Sequence, residues 1–490
     1  MPASIPDRRI HTAGRSAVAT DGRFVVYWMT SAHRVGWNFA FERAVEWAAE
    51  LGKPLVVAEV LGCGGRWDNA RRHRFVIDGM ADITRRLEPS PVLHYPLIES
   101  HKGEAGELLG TLAEQACLVV TDDCPLPVAG GVEQSLAIRL ERVDGNGLLP
   151  IRAADSVFPT AYAFRRFLQR ELPNHLLDQP KANPLGRTKI PPLKSLPKEI
   201  SRRCPAVSQE LLSASPAAPA DLPIDYDVGP VEMRGGSVAA RAALERFLEE
   251  RLPRYHTHRN QPEEEATSGL SPYLHFGHIS PHEIFHALAK RERWSPDRLA
   301  EKAAGKREGW WGMSAPAEAF LDELVTWREL GLNTCSRTPN YDRYESLPDW
   351  ARTTLDAHAG DRREYVYSLD EFERGQTHDR LWNAAQRQLL VEGRMHNYLR
   401  MLWGKKILQW TAAPREALDV MLELNNKYAL DGCDANSYSG IFWVLGRYDR
   451  PWGPERPVFG KIRYMSSRNT ARKVRTGGYI SSYSRNDGQS

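Results

Sequence analysis

Apolar and polar positions follow two different rhythms along this chain. In the first third, short apolar runs alternate with amphipathic stretches. Residues 23–30, RFVVYWMT, predict a strand. The segment SAHRVGWNFAFERAVEWAAELGK then reads as a helix, with Phe41, Ala44, Val45 and Ala48 on one face and Gly52 as its stop. PLVVAEVL predicts a second strand and RHRFVIDGMADITRRL a second helix. VLHYPLI, a helix around GELLGTLAEQ, CLVVTD, GVEQSLAIRLERV and GLLPIRA continue the series. Alternation with uninterrupted apolar strands predicts a parallel, Rossmann-like sheet covered by helices. The first strand runs into TSAHRVG, which is neither GxGxxG nor a P-loop. That disfavours a dinucleotide-dependent dehydrogenase and a P-loop enzyme.

The rhythm changes after a stretch rich in Pro, Ala, Ser and Lys, including KANPLGRTKIPPLKSLPK and SASPAAPADLP. Such composition is extended and semi-rigid. Beyond it, SVAARAALERFLEERL, AEAFLDELVTWREL and THDRLWNAAQRQLLVEGRMHNYLRMLWGKKILQWT read as helices, with no alternating strand between them. The expected organisation is an amino-terminal tail (1–20), an α/β domain (21–180), a linker (181–235) and an all-α domain (236–490). A 490-residue chain has room for that division.

Composition narrows the picture only a little. The six cysteines, Cys63, Cys117, Cys124, Cys204, Cys335 and Cys433, form no CxxC pair and no zinc-finger spacing, and read as reduced thiols of an intracellular protein. No run of 18 apolar residues occurs, so no membrane span is expected. The net charge is only +3, but from Asn436 to Ser490 ten Lys and Arg face three Asp and Glu. That excess suits a phosphate-facing surface or a solvated basic tail equally.

Candidate chemistry concentrates between Asp379 and Trp452, which hold Trp382, Trp403, Trp410, Trp443 and Trp452. Trp403 and Trp410 are seven residues apart, two helical turns, and share a face. Two readings are open: an aromatic core, or a chain of oxidisable indoles that passes electrons. The blocks RMHNYLRMLWGKKILQWT, LNNKYALDGCDANSYSGIFW and YDRPWGPERPVFGKIRYM resemble the signatures of class II cyclobutane pyrimidine dimer photolyases. Upstream, SGLSPYLHFGHISP resembles the flavin-phosphate loop of the photolyase and cryptochrome superfamily, and FLDELVTWREL its substrate-site helix. The resemblance covers nearly all of the chain, and it makes the α/β part an antenna-type domain.

The resemblance implies a light-driven enzyme that repairs pyrimidine dimers with FAD, active as FADH⁻, and with an antenna chromophore of unknown identity. Trp403, Trp382 and Trp410 match the photoreduction chain, and Asn425 matches the asparagine facing flavin N5. Arg400, Asp431 and Asp434 match contacts to the isoalloxazine edge, and Tyr255, Ser268, Leu270 and Ser271 match positions near the phosphates and ribityl chain. Glu323 matches the acid that hydrogen-bonds the dimer, and Trp327 and Trp443 the aromatic walls of its pocket. Met401, Trp452, Arg450 and Arg463 complete the substrate and DNA set. The implied partner is UV-damaged DNA, flipped open at the lesion, met by a monomer in the cytoplasm or nucleoid. A cryptochrome-like photoreceptor, or a DNA-binding flavoprotein without repair activity, is the alternative.

The chain departs from the family pattern in places. DPNGY reads Asp434-Ala435-Asn436-Ser437-Tyr438, with Ser437 for the usual Gly. GGVHDRAW is one residue shorter here, with Tyr448 replacing a usual His. The MHGF block reads Met395-His396-Asn397-Tyr398, and the tail after Met465 diverges. One motif points elsewhere: His282-Glu283-Ile284-Phe285-His286 fits the zincin HExxH pattern. Ser280-Pro281-His282-Glu283 is also a helix start with a capping box, and no third ligand follows, so no metal site is expected.

Overall fold

The structure is a computed structural model that describes all residues except 1–4, 14–16, 128–135, 187, 214–221 and 485–490. Part of the GVEQS stretch, part of the expected linker and the last basic residue of the tail therefore lie outside the described residues. The chain divides into two compact units. One holds Met1–Asp155, Arg170–Glu245 and Gly269–Leu299; the other holds Ser156–Gln169, Arg246–Ser268 and Ala300–Ser490.

Among its described residues the first unit has six strands: β1 (Ile10–Ala13), β2 (Phe24–Met29), β3 (Leu55–Leu61), β4 (Leu93–Ile98), β5 (Ala116–Asp122) and β6 (Leu140–Val143). Their order is β1-β6-β5-β2-β3-β4. All pairings are parallel except β1 with β6. The antiparallel edge comes from within the expected amino-terminal tail, so part of that tail is structural. Helices α1 (Phe39–Leu51), α2 (Ala70–Leu87) and α3 (Glu104–Ala113) cover the sheet. Val25, Tyr27 and Met29 of β2 pack with Phe41, Ala44 and Val45 of α1. Phe24, Val26 and Trp28 pack with Leu108, Leu109 and Leu112 of α3. Both faces of β2 are buried, which explains its unbroken apolar run.

Helix α1 begins at Phe39, eight residues later than the sequence pattern suggested, and Gly52 ends it in a left-handed conformation as expected. The delay has a cause. The backbone N–H groups of Thr30, Ser31 and Ala32 all donate to Asp122 Oδ2, at 3.0, 2.9 and 3.0 Å. Tyr27 donates its hydroxyl to Asp122 Oδ1 at 2.8 Å. These groups lie at the ends of β2 and β5, where the strand order reverses. Such switch points are where doubly wound sheets receive ligand phosphates. Here the chain's own carboxylate fills the nest of N–H groups, in physical agreement with the missing glycine fingerprint.

The expected linker is largely a strap. Ile190, Leu196, Ile200, Cys204 and Leu212 are buried against the clusters of this unit. Segments 236–245 and 269–299 also belong here, because Gly236 N donates to His278 Nδ1 (2.9 Å) and Arg34 donates to the carbonyl of Gly277 (2.8 Å). The HExxH histidines pack on rings, His282 on Phe39 at 5.2 Å and His286 on Trp37 at 4.9 Å. Ser280 does cap its helix, accepting from His282 N. Glu283 does not close a capping box, because Arg241 takes its carboxylate at 2.6 Å. Among the described residues no cluster of three His, Cys, Asp or Glu could hold a metal. No described helix is long and apolar enough to cross a membrane, and no disulfide joins the cysteines.

The second unit is built from helices joined by loops, and among its described residues the one β feature is an isolated bridge between Arg456 and Gly460. Its site-bearing helices are α4 (Arg328–Arg337), α5 (Arg380–Glu392), α6 (Asn397–Trp410), α7 (Pro414–Tyr428), α8 (Ala435–Val444) and α9 (Ser467–Lys473).

Replacing Asp122 with alanine should leave three backbone donors and one phenol without their acceptor. Each unmade buried bond costs about 1–3 kcal/mol, with partial relief by water. The expected loss of unfolding free energy is therefore about 2–5 kcal/mol. Urea denaturation of the Asp122→Ala variant measures it; an unchanged midpoint would refute the nest.

Candidate active site and tryptophan array

The site starts from an irregular helix. Between Ala315–Leu321 and α4, residues Asp322–Trp327 form a wider, π-type turn. Such turns re-aim side chains and cluster at functional positions. Here they separate two adjacent carboxylates. Asp322 is buried in a bidentate pair with Arg165, at 2.8 and 3.1 Å. Glu323 instead accepts from Arg259 Nη1 at 2.8 Å, and 33% of its side chain remains exposed. The surrounding protein raises the Glu323 pKa above that of an ordinary carboxylate, through burial first; Arg259 opposes the shift and the Asp322 charge adds to it.

Glu323 opens into a cavity of about 590 Å³. Trp327, Arg400, Met401, Trp443, Trp452 and Arg463 line it as well, and so do Arg259, Tyr448 and residues of α9. Trp327 and Trp443 stack on one another, with centroids 4.7 Å apart and planes 22° apart. They form one double-ring platform, and no base fits between them. Trp452 lies under two guanidinium groups, those of Arg450 and Arg463, each 5.1 Å from its ring.

The remaining sequence candidates stand outside that lining. Of these, Asp431 accepts from the cavity-lining Arg400 at 3.4 Å. Asn425 on α7 is buried and donates its amide N–H to Ser437 Oγ at 2.6 Å and to Asn426 Oδ1 at 3.1 Å. The serine that replaces the family's usual glycine thus fixes the asparagine's orientation. Asp434 caps α8, accepting from Asn436 N. Tyr255 is buried against Phe247 and Phe320, with Arg259 over its ring. Ser268 is half-buried, whereas Leu270 and Ser271 lead the short helix Ser271–His275 in the first unit.

The three tryptophans of the array are buried, at 0–2% exposure. Trp382 sits between the other two. Its ring is parallel to Trp403 at 6.5 Å and edge-on to Trp410 at 6.0 Å. Its Nε1–H donates to the Trp403 carbonyl at 3.0 Å, and Trp403 Nε1–H donates to Gln386 Oε1 at 2.9 Å. Trp410 meets His378 and Tyr367, whose hydroxyl and ring nitrogen lie 2.6 Å apart.

Sequence reasoning missed Arg259, Gln386 and Lys405. Arg259 lies 64 residues from its carboxylate partner, beyond any local pattern. Lys405 did leave a trace: it falls between Leu402 and Leu408, on the face of α6 that the structure buries. Its ammonium is 1% exposed and donates to the carbonyl of Val444 at the end of α8. Burial pushes its pKa down to about 7, with Asp449 opposing and Arg463 assisting.

An α/β sheet unit with a helical unit around an aromatic cavity is the architecture of photolyases. The structure superposes on a bacterial class III photolyase from Agrobacterium tumefaciens with a TM-score of 0.67 over 96% of this chain and 87% of that one, at 19% identity. No protein-family model matches the chain. A deoxyribodipyrimidine photo-lyase of Methanothermobacter thermautotrophicus is 36% identical over 471 residues, 94% of each chain. Those of Arabidopsis thaliana and Potorous tridactylus are 34% and 33% identical, over 93% and 91% of this chain and 88% and 79% of their own. The chain belongs to the deoxyribodipyrimidine photo-lyase family and is a lyase.

Lys405 yields a pH-dependent expectation. An unfolded lysine keeps its proton to about pH 10.4, whereas the folded one releases it near pH 7. Between these values the unfolded chain binds the extra proton, so native stability rises with pH. A Lys405→Met variant escapes that burden. Its Tm, relative to the parent, should be more favourable at pH 6 than at pH 9. An equal difference at both pH values would show that the lysine is not titrating there.

Proposed function

We propose that the protein repairs cyclobutane pyrimidine dimers in UV-damaged DNA by light-driven electron transfer, in the manner of class II photolyases. The observation that carries this reading is the stacked Trp327–Trp443 platform beside Glu323 in one cavity. A dimer within a duplex must be turned out of the stack to meet a protein pocket. The platform offers it an aromatic surface, while Arg450, Arg463 and Lys473 offer charge to the flanking phosphates. Glu323, with its raised pKa and its Arg259 partner, supplies a hydrogen bond to the polar edge of the dimer. That bond strengthens as the dimer gains negative charge.

The residues fit an FAD. Arg400 and Asp431 place a donor and an acceptor side by side, matching the alternating edge of an isoalloxazine. Asn425, held by Ser437, adds a fixed amide. Bound there in its reduced form, FAD would supply the light-driven electron chemistry, and the residues named would hold and orient it. Trp403, Trp382 and Trp410 form a contiguous buried relay by which the oxidised cofactor is reloaded with electrons from the surface. The enzyme works as a monomer in this reading.

The deciding experiment incubates the FAD-loaded protein with a dimer-containing oligonucleotide in blue light and in darkness. Repair is expected only in light; its absence with fully reduced enzyme would remove the proposal. The site residues separate further. Trp443→Ala and Trp327→Ala should each weaken dimer-DNA binding about 5- to 150-fold, by the worth of one base–aromatic stack, and leave undamaged duplex nearly unaffected. Equal losses on both DNAs would defeat the platform's role. Trp403→Phe and Trp382→Phe should stop photoreduction of oxidised FAD, yet pre-reduced enzyme should still repair. Normal photoreduction in both would return these rings to plain core packing.

A further inference from the structure

Two stripes of residues face each other across α4 and α8. On one side run Trp327, Gly331 and Thr334; on the other, Ala435, Ser439 and Trp443. Trp327 meets Trp443 at one end. In the middle the helices touch. A Cβ at Gly331 would come within 2.7 Å of Ser439 Oγ and 2.9 Å of the Ala435 carbonyl oxygen. A third element enters from the shortened loop. Tyr448 has φ +64°, in the left-handed region, and this aims its ring back between the helices. Its hydroxyl lies 2.7 Å from Thr334 Oγ1 and 3.4 Å from Ser439 Oγ. All three residues are buried, at 8%, 4% and 7% exposure.

The proton directions follow from supply. Thr334 spends its single hydroxyl hydrogen on the Leu330 carbonyl, 3.1 Å away in the preceding turn. Its oxygen can therefore only accept from Tyr448. Tyr448 in turn has only lone pairs left for Ser439. The three hydroxyls form one directed chain, Ser439 to Tyr448 to Thr334 to Leu330, crossing from α8 to α4. Phenylalanine at 448 would fill the same space and break the chain.

We propose that Tyr448 is a positioning residue for lesion recognition: its hydroxyl staples α4 to α8 and so fixes the stacking of Trp327 on Trp443. The inference rests on the reading of that pair as the dimer platform. A residue held with positive φ costs backbone energy for a bulky aromatic, and the hydroxyl chain is what offsets it.

The test is a double-mutant cycle of Tyr448→Phe and Thr334→Val. Affinities for dimer-containing and undamaged duplexes are measured with FAD content and Tm for every variant. Each single change should lower the damaged-to-undamaged affinity ratio about 3- to 10-fold, the scale of one neutral hydrogen bond. The double variant should do no worse than the stronger single one, because both remove the same bond. FAD content should stay at the parent level throughout. An unchanged ratio in Tyr448→Phe, multiplying losses in the double variant, or flavin loss at constant ratio would each overturn the staple. Trp443→Ala measured alongside identifies the failing premise. If it lowers the ratio and Tyr448→Phe does not, only the staple is wrong. If neither lowers it, the platform itself is misassigned.

Discussion

Everything in the candidate site depends on how closely α4 and α8 approach. Gly331 removes the side chain that would otherwise hold them apart. The small residues Ala435 and Ser439 accept the contact, and the bulk of the two tryptophans is displaced to the end of the crossing. Packing of this kind leaves little slack: interiors are as dense as organic crystals, and an added methyl group is felt. The same crossing places Val444 over Lys405, Ser437 over Asn425 and Asp434 at the start of α8. Groups on α6 and α7 thus bond to α8, the helix that Gly331 lets α4 approach.

Charge is distributed around this crossing by burial more than by number. The second unit carries Asp322 and Glu323 as neighbours in the π-type turn, and their carboxylates diverge, one to Arg165 and the other to Arg259. Asp322 is then fully engaged in a bidentate pair, while Glu323 keeps one oxygen for the cavity. Lys405 is the opposite case: a cation with no carboxylate within hydrogen-bond reach, stabilised by a helix-end carbonyl and titrating near neutrality. A cation at a helix C-terminus complements the partial negative charge there.

Much of this was legible in the residues. The apolar runs of β2, β3 and β5 gave away the sheet, because strands buried on both faces read as near-continuous apolar runs, with polar exceptions such as Glu59 and Asp122 held by buried hydrogen bonds. The change to helical period after residue 236 gave the second class of element, and ordered blocks around Trp403, Asn425 and Trp443 pointed to the helices that carry the candidate residues. Other features were invisible for definite reasons. The edge strand Ile10–Ala13 is short, and its pairing with β6 depends on a partner about 130 residues away. The described part of the strap between 181 and 235 has a loop composition, in which buried residues such as Ile190, Leu196, Ile200 and Leu212 are too scattered to form a pattern. Arg259 and Asp122 act through partners distant in sequence. That Trp327 and Trp443 stack on one another depends on the helix crossing, which no linear pattern encodes.

The acceptors of the indole N–H groups carry a consequence of their own. Trp382 ends on a backbone carbonyl and Trp403 on the side-chain amide of Gln386. Neither acceptor is a base, since an amide oxygen does not hold a proton in water near neutral pH. An indole that loses an electron at either position therefore keeps its hydrogen and remains a cation. In the proposed relay, charge would cross this segment of the protein without any nuclear cargo. Transit between the two rings should consequently be indifferent to replacing exchangeable hydrogen by deuterium, and any proton release belongs to the Trp410 end, where Tyr367 and His378 share a hydrogen bond.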